Sequence, residues 1–363
     1  MPSPKVSVLM AVYNAERYLR ESIDSVLRQT FQDFELVIAY DPSTDESLSV
    51  INSYRDPRIR LIVGAQARGV TQARQVALQN ARGEYVATLD ADDTTRPDRL
   101  ALQIDYLDRH PEVGVVGAAY ELVDPAGTVL TTIMPPTDPL TIRWRLLFGN
   151  CLANSATMFR RHLALALGGY DIERYSGEDF DLWTRFAAHS TIIQLEQPLV
   201  CWRQHEGNLT KNESPVLRAH YAQIVARSVR MQTGRIIGDD VAAALFRDVP
   251  QPARDGKVLS QALDAITHCL RCLLAIPGLA PSQRSNLVSL ALEEIFRVAH
   301  LNPGSYREAC QSAIGCVVRH DWRRMRRKEC VRLLAFALLP ACAIACLSRL
   351  KQRFRAASSR VSA

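Results

Sequence analysis

The stretch Val6-Ser7-Val8-Leu9-Met10-Ala11-Val12 is short, almost wholly apolar and rich in β-branched residues. Such a run reads as a strand buried on both faces, the mark of a parallel sheet. Outward from it, Asn14 is placed to cap a helix in which Leu19, Ile23, Val26 and Leu27 recur at helical spacing. A second buried strand is expected over 35–39, then a turn and cap over 41–45 and a helix carrying Leu48, Ile51 and Tyr54 on one face. Further strands are expected over 60–63, 85–89 and 113–116. A helix over 71–81 stops before Gly83, and another opens at Pro97 and ends near His110-Pro111. Strands alternating with helices through short connections predict an α/β domain, Rossmann-like, with a mostly parallel sheet. Ligands of such sheets bind beyond the carboxyl ends of the strands. Tyr13-Asn14, Asp41 and the run Asp90-Ala91-Asp92-Asp93 all fall there, so polar groups from separate segments converge on one rim.

Beyond this core the pattern is mixed over 138–210, where Trp144, Trp183 and Trp202 are assigned to the same domain. After Lys211 it turns helical, through 263–274 and 287–298, interrupted by Pro277, Pro281 and Pro303. The expected organisation is a domain over 1–210, a helical C-terminal extension over 211–330, and a basic and apolar tail over 331–363. With 47% hydrophobic and 23% charged residues in 363, neither a disordered chain nor a polytopic membrane protein fits. The net charge of +6 is uneven: Arg323, Arg324, Arg326, Arg327 and Lys328 crowd ahead of an apolar run. The nine cysteines include Cys269 and Cys272 at CxxC spacing, but no second pair provides a zinc set, so all are read as reduced thiols. No signal-peptide pattern precedes the first strand, which makes the cytoplasm the expected address.

Three clusters carry chemistry. Asp90, Asp92 and Asp93 repel one another and cost stability unless a cation neutralises them. Oxygen ligands without nearby Cys or His favour Mg²⁺ or Mn²⁺, which stabilises a phosphate leaving group; the other reading is a solvated turn capping the next helix. Asp41-Pro42-Ser43-Thr44-Asp45 offers a carboxylate and hydroxyls to a base or ribose, or is a plain capped turn. Glu178-Asp179, ahead of an apolar helix, supplies a general base or simply first-turn acids favoured by the helix dipole. The residues alone leave each pair of readings open.

Taken in order, Val6 to Tyr13-Asn14, Gln29-Thr30-Phe31, Asp41 to Asp45, Gly83-Glu84-Tyr85, Leu89 to Asp93, Pro97-Asp98-Arg99-Leu100, Gly168-Gly169-Tyr170-Asp171 and Glu178-Asp179 resemble glycosyltransferase family 2. These are the inverting GT-A enzymes of bacterial polysaccharide synthesis, and the resemblance covers roughly residues 5 to 210. It implies that Asp41 contacts the nucleotide base, with Ala11 and Tyr13 along it and Arg74 near the nucleotide. It implies that Asp90, Ala91 and Asp92 surround the sugar and the metal-bound diphosphate, with Asp93 alongside. Asp179 becomes the catalytic base, and Asp92 with His205 the metal-binding pair. The chain departs from the family at Tyr40 and Pro42, where an acid and a glycine are usual, and at Asn154, where histidine is frequent.

The resemblance implies a metal-dependent transfer of a hexosyl group from a nucleotide-diphosphate sugar, of the UDP class, to a glycan or lipid-linked acceptor. The alternative is a catalytically silent nucleotide-sugar-binding protein, which Tyr40 and Pro42 keep in view. A nucleic-acid-binding role is set aside because no stacking or groove-reading motif accompanies the basic tail. A dehydrogenase is excluded because no GxGxxG follows the first strand. The run 333–347 is broken by Pro340 and falls short of the roughly 20 residues that span a bilayer. Flanked by arginines, it is read as a helix in peripheral contact with acidic lipid at the inner face of the cytoplasmic membrane. The oligomeric state is left open.

Overall fold

The computed structural model describes residues 3–174, 176–208, 215–247 and 255–299. The chain divides into two compact units, the first ending at Ile224 and the second beginning at Val225.

In the first unit β1 (Val6–Val12) lies between β2 (Phe34–Tyr40) and β4 (Tyr85–Thr88), parallel to both, and β3 (Ile59–Val63) extends the parallel set beyond β2. All seven residues of β2 are buried, the apolar ones as a two-sided core requires and Glu35 through its pairing with Ser7, Arg60 and Arg82. The intervening helices are α1 (Glu16–Leu27), α2 (Ser47–Asn52) and α3 (Val70–Asn80). The second half contains β5 (Thr94–Thr95), α4 (Arg99–Arg109), β6 (Val113–Val123), β7 (Val129–Ile133) and α5 (Pro139–Arg145). A 3-10 turn at Asn154–Ala156 leads into β8 (Met158–Arg160), α6 (Arg161–Ala166), α7 (Glu178–His189) and β9 (Thr191–Arg203). The sheet order is β3-β2-β1-β4-β8-β6-β9-β5, with β7 pairing off β6. The α/β class holds. The sheet is parallel through β4, after which β8 runs antiparallel to both its neighbours while β6 and β9 pair in parallel.

Strand β6 is longer than its apolar start suggests. Its glycines have a packing reason: a Cβ on Gly114 would sit 2.2 Å from the Ser190 hydroxyl, and one on Gly117 within 2.9 Å of the Gln194 side chain. Strand glycine here marks close approach of a neighbour, not a break.

The cap expected from Asn14 is not formed. Asn14 adopts φ 47°, the sole non-glycine among the described residues with positive φ, and α1 begins after Ala15 without a side-chain cap of its own. Its opening N–H groups are satisfied from the 41–47 loop instead. Asn14 N donates to Ser43 Oγ, Ala15 N to Ser47 Oγ and Glu16 N to Asp45 Oδ2, at 2.9–3.0 Å. Asn14 Oδ1 in turn accepts from Thr44 N, and Glu16 Oε2 from Glu46 N. Loop and helix therefore order one another.

Helix α8 (Pro215–Thr233) crosses the division between the units. Beyond it lie α9 (Asp239–Leu245), α10 (Gly256–Leu274) and α11 (Pro281–Ala299), so every element described after β9 is helical. Helix α10 buries Leu259, Leu263, Ile266, Leu270 and Leu273, a stripe at helical spacing. Cys151, Cys201, Cys269 and Cys272 are thiols. The expected tail over 331–363, its membrane contact and the basic run before it lie outside the described residues. Among the described residues no helix is long and apolar enough to cross a membrane.

Candidate active site

The acids Asp90 to Asp93 leave the sheet directly after β4, where Leu89 N still donates to Leu9 O of β1. Asp90 Oδ1 accepts from Asn154 Nδ2 at 3.0 Å and from the Arg74 guanidinium. Asp92 Oδ2 lies 2.8 Å from His205 Nε2. Asp93 behaves otherwise than expected. Its side chain is wholly buried, with Oδ2 accepting from Ser155 Oγ and Oδ1 from the Arg203 N–H at 2.9 Å. Burial, then the charges of Asp92 and Asp90, push its carboxyl well above the usual range. Asp93 is thus a peg joining the acidic turn to the end of β9, and it does not stand on the rim beside Asp90 and Asp92. Nor does either Asp92 or Asp93 cap α4, whose first turn follows Asp98.

The imidazole of His205 rests on the Tyr18 ring of α1, 5.1 Å between centroids, while the Arg203 guanidinium lies 4.6 Å from the same ring. Arg203 also binds Glu21 at 2.6 Å and the Asp92 carbonyl at 3.1 Å. Two segments more than a hundred residues apart are thereby clamped around Asp92. Burial and the Asp90 charge raise the Asp92 carboxyl, against the pull of His205.

Arg74, on α3, is the hub between the acidic turn after β4 and the second acidic motif. It pairs with Asp90 on one side and with the buried carboxylate of Glu178 on the other. Burial works against its charge, and Asp90 and Glu178 outweigh that, so its pKa is raised. Helix α7 starts where it does because Gly177 takes φ 74°, with Tyr221 so close that a Cβ would lie 2.8 Å from its ring. That turn delivers Glu178 to Arg74 and Asp179 to the adjoining space. Asp179 Oδ1 accepts from Phe180 N at 2.7 Å and Oδ2 from Asn150 Nδ2 at 3.1 Å. Burial first, then the Glu178 charge, push its carboxyl up to about 7, with Arg74 opposing. A carboxyl balanced there can take a proton near neutral pH.

Asp41 follows β2, its N–H donating to Val12 O at 2.9 Å, and so sits beside the end of β1. Its carboxylate is only 2% exposed because the 64–69 loop covers it: Oδ1 accepts from Arg68 Nε, and Oδ2 from the N–H groups of Arg68 and Gly69. Ala11 is part of β1, while Tyr13, just beyond it, is 56% exposed, an open ring face at the rim. Ala91, between Asp90 and Asp92 in sequence, is buried.

The fold thus brings Arg74, Asp90, Glu178 and Asp179 into one chain of contacts, joins Asp92 to His205, and sets Asp41 under Arg68. Sequence reasoning missed Arg68, Asn150, Ser155 and Arg203. Arg68 and Asn150 stand in no motif; Ser155 and Arg203 lie in the family-like stretches around Asn154 and His205, but only the return of β9 beside the acidic turn reveals what Arg203 touches.

The glycosyl transferase family 2 model matches residues 7–164. The putative glycosyltransferase EpsE of Bacillus subtilis is 35% identical over 188 residues, covering 50% of this chain and 66% of that protein. An uncharacterized glycosyltransferase of Methanocaldococcus jannaschii is 32% identical over 193 residues, covering 52% and 67%. This chain belongs to glycosyl transferase family 2. It spans about two thirds of the length of those two relatives. The Escherichia coli protein WfgD, named as a UDP-Glc:α-D-GlcNAc-diphosphoundecaprenol β-1,3-glucosyltransferase, is 27% identical over 218 residues, 60% of this chain and 83% of that one. Among solved structures, Staphylococcus aureus TarS 1–349 in complex with UDP-GlcNAc superposes with a TM-score of 0.54 at 18% identity, covering 88% and 92%, a likeness of GT-A fold. The family 2 match ends before α7 and β9, so Asp179 and His205 lie beyond it.

Proposed function

We propose that this protein is an inverting glycosyltransferase, moving a hexosyl group from a nucleotide-diphosphate sugar, of the UDP class, to a glycan or lipid-linked acceptor in cell-surface polysaccharide synthesis. The observation that carries the reading is Arg74, which pairs with Asp90 and with Glu178 at once and so sets the base candidate Asp179 beside the donor acids. Asp90, Ala91 and Asp92 are assigned to the sugar and diphosphate, and Ala11 and Tyr13 to the base. Asp41 reaches the base only once Arg68 has moved aside. The name of WfgD supports a UDP-sugar and a lipid-linked acceptor. Such an acceptor places the work at a membrane surface, in keeping with an address at the inner face of the cytoplasmic membrane.

Asp92 and His205 fit a divalent ion. One carboxylate and one imidazole converge within 2.8 Å, and among the described residues no set of three His, Cys, Asp or Glu exists to close the sphere. Two protein donors leave positions for diphosphate oxygens, as Mg²⁺ and Mn²⁺ sites in phosphate chemistry do. When bound, the ion supplies Lewis-acid stabilisation of the departing diphosphate. The chain's own groups do the rest. Asp179 takes the proton of the acceptor hydroxyl as its oxygen bonds to the anomeric carbon. The bond from that carbon to the diphosphate breaks on the opposite face, so one displacement inverts the centre.

The test is release of nucleoside diphosphate from a panel of UDP-, GDP- and dTDP-sugars, with Mn²⁺ or Mg²⁺, in the presence and absence of GlcNAc-diphosphoundecaprenol. Acceptor-stimulated release with one donor supports the reading. Binding of a nucleotide sugar without turnover on any acceptor would show a silent binding protein instead.

A further inference from the structure

Asn150 lies between α5 and the 3-10 turn at Asn154–Ala156, after the fully buried run Leu146-Leu147-Phe148. Its amide is fixed at both ends: Oδ1 accepts from Leu152 N at 3.1 Å, and Nδ2 donates to Asp179 Oδ2 at 3.1 Å. Rotating the amide by half a turn would aim an NH₂ at an N–H and a carbonyl oxygen at a carboxylate. Both contacts would repel, so the donor must face Asp179.

We infer that Asn150 is the positioning residue of the base, holding the Asp179 carboxylate in the plane from which it meets the acceptor hydroxyl. The inference rests on the base reading above. Each carboxylate oxygen receives one donor from a different segment, Asn150 on Oδ2 and the Phe180 N–H on Oδ1. The carboxylate plane is thereby set, and each oxygen keeps lone-pair capacity for the incoming proton. In the step itself the hydroxyl proton passes to an Asp179 oxygen as the new C–O bond forms. The electron pair of the breaking C–O bond leaves with the nucleoside diphosphate.

The donated N–H also favours the ionised carboxylate over the protonated one. It acts with Arg74 of α3, and against burial, Glu178 on the same helix and Asp90 beyond β4. The buried Tyr170 hydroxyl also lies within electrostatic reach. Among these, Asn150 is the neutral group that donates directly to the carboxylate from another element.

Two variants separate a base-positioning role from a loop-shaping one. Asn150→Asp keeps an acceptor for the Leu152 N–H but turns a carboxylate oxygen toward Asp179, whereas Asn150→Ala removes both contacts. The full chain, labelled with ¹³C at the aspartate carboxyls, is titrated by NMR without substrate, the Asp179 signal being the one absent from Asp179→Asn. The midpoint is expected to rise by about one pH unit or more in Asn150→Asp and by less in Asn150→Ala. With UDP-glucose and GlcNAc-diphosphoundecaprenol, kcat should fall about 10- to 100-fold while the KM for UDP-glucose stays within about twofold. An unmoved Asp179 midpoint and an unchanged kcat in a folded Asn150→Asp protein would overturn the inference. Full activity of Asp179→Asn would overturn the base reading instead, and with it this role for Asn150.

Discussion

Replacing Asp179 by Asn should make the protein more stable and far less active, and the two effects can be sized. The carboxyl sits at about 7 in the folded chain against an ordinary 3.8. A folded state that keeps a proton the unfolded chain has already released loses stability as pH rises between those values, and the whole cost is present above about pH 7. At about 1.4 kcal/mol per unit, three units set an upper bound near 4 kcal/mol. Glu178 and Arg74 share the titration, and the Asn150 amide loses its acceptor at a cost of about 1 kcal/mol. A net gain of about 1–2 kcal/mol for Asp179→Asn at pH 8 is therefore expected, vanishing or reversing by about pH 4. Donor-dependent transfer should drop by about 10²- to 10⁴-fold, the scale of a lost general base. Denaturant unfolding across pH 4–8, run beside a transfer assay, measures both. Near wild-type transfer, or a stability difference that ignores pH, would refute the reasoning.

Chelation should abolish transfer, and His205→Ala should raise the Mn²⁺ concentration for half-maximal rate by at least the roughly 10–100-fold that a weakened ligand environment costs, read from a metal titration. Glu35 is buried, yet its carboxyl is lowered: burial pushes it up, and Ser7, Arg60 and Arg82 together outweigh that. Stability from Glu35 is thus present above its unfolded value and lost as pH falls through the folded one. Glu35→Gln should cost about 1–3 kcal/mol at neutral pH and little in acid, as unfolding at two pH values will show. Gly83→Ala should destabilise by about 1–3 kcal/mol, since its Cβ would meet the Ser7 nitrogen at 2.4 Å and the Val6 carbonyl carbon at 2.6 Å, both backbone atoms. Thermal melting measures it.

The first four strands were legible because each is a mainly apolar run bounded by turn residues. Val6–Val12 and Phe34–Tyr40 have no other comfortable state than a two-sided core. Of the later strands only the start of β6, over 113–116, was legible, for physical reasons. Strand β6 runs on through Gly117-Ala118-Ala119, small residues whose value lies in what packs on them. Strand β8 is three residues long and β5 two, and both are strands only because a neighbour pairs with them. The candidate site shows the same division. Acid clusters at strand ends announce themselves, and Asp90, Asp92, Asp179 and His205 were all named from sequence. Local sequence cannot tell which acid faces outward. Asp93, in the same turn, is buried under Ser155 and Arg203, and Asp41 under Arg68. Asn150 carries no signal at all, because an amide in a loop acquires its role from the carboxylate that the fold sets beside it.

The placement of β9 bears on how the protein is made. Strand β9 fills the position between β6 and β5, yet it ends 80 residues after β6 is complete, at Arg203 against Val123. Asp93 waits 110 residues for the Arg203 N–H, and Asp92 waits 113 for His205. At about 5–20 residues per second that interval is roughly 6–20 s on the ribosome. Throughout it Asp92 lacks His205, Asp93 lacks the Arg203 N–H, and the edge of β6 that β9 will cover stays open, the kind of surface that pairs with the wrong chain. Function and vulnerability during synthesis thus share a cause: the last of the described strands to emerge is the one that closes the site.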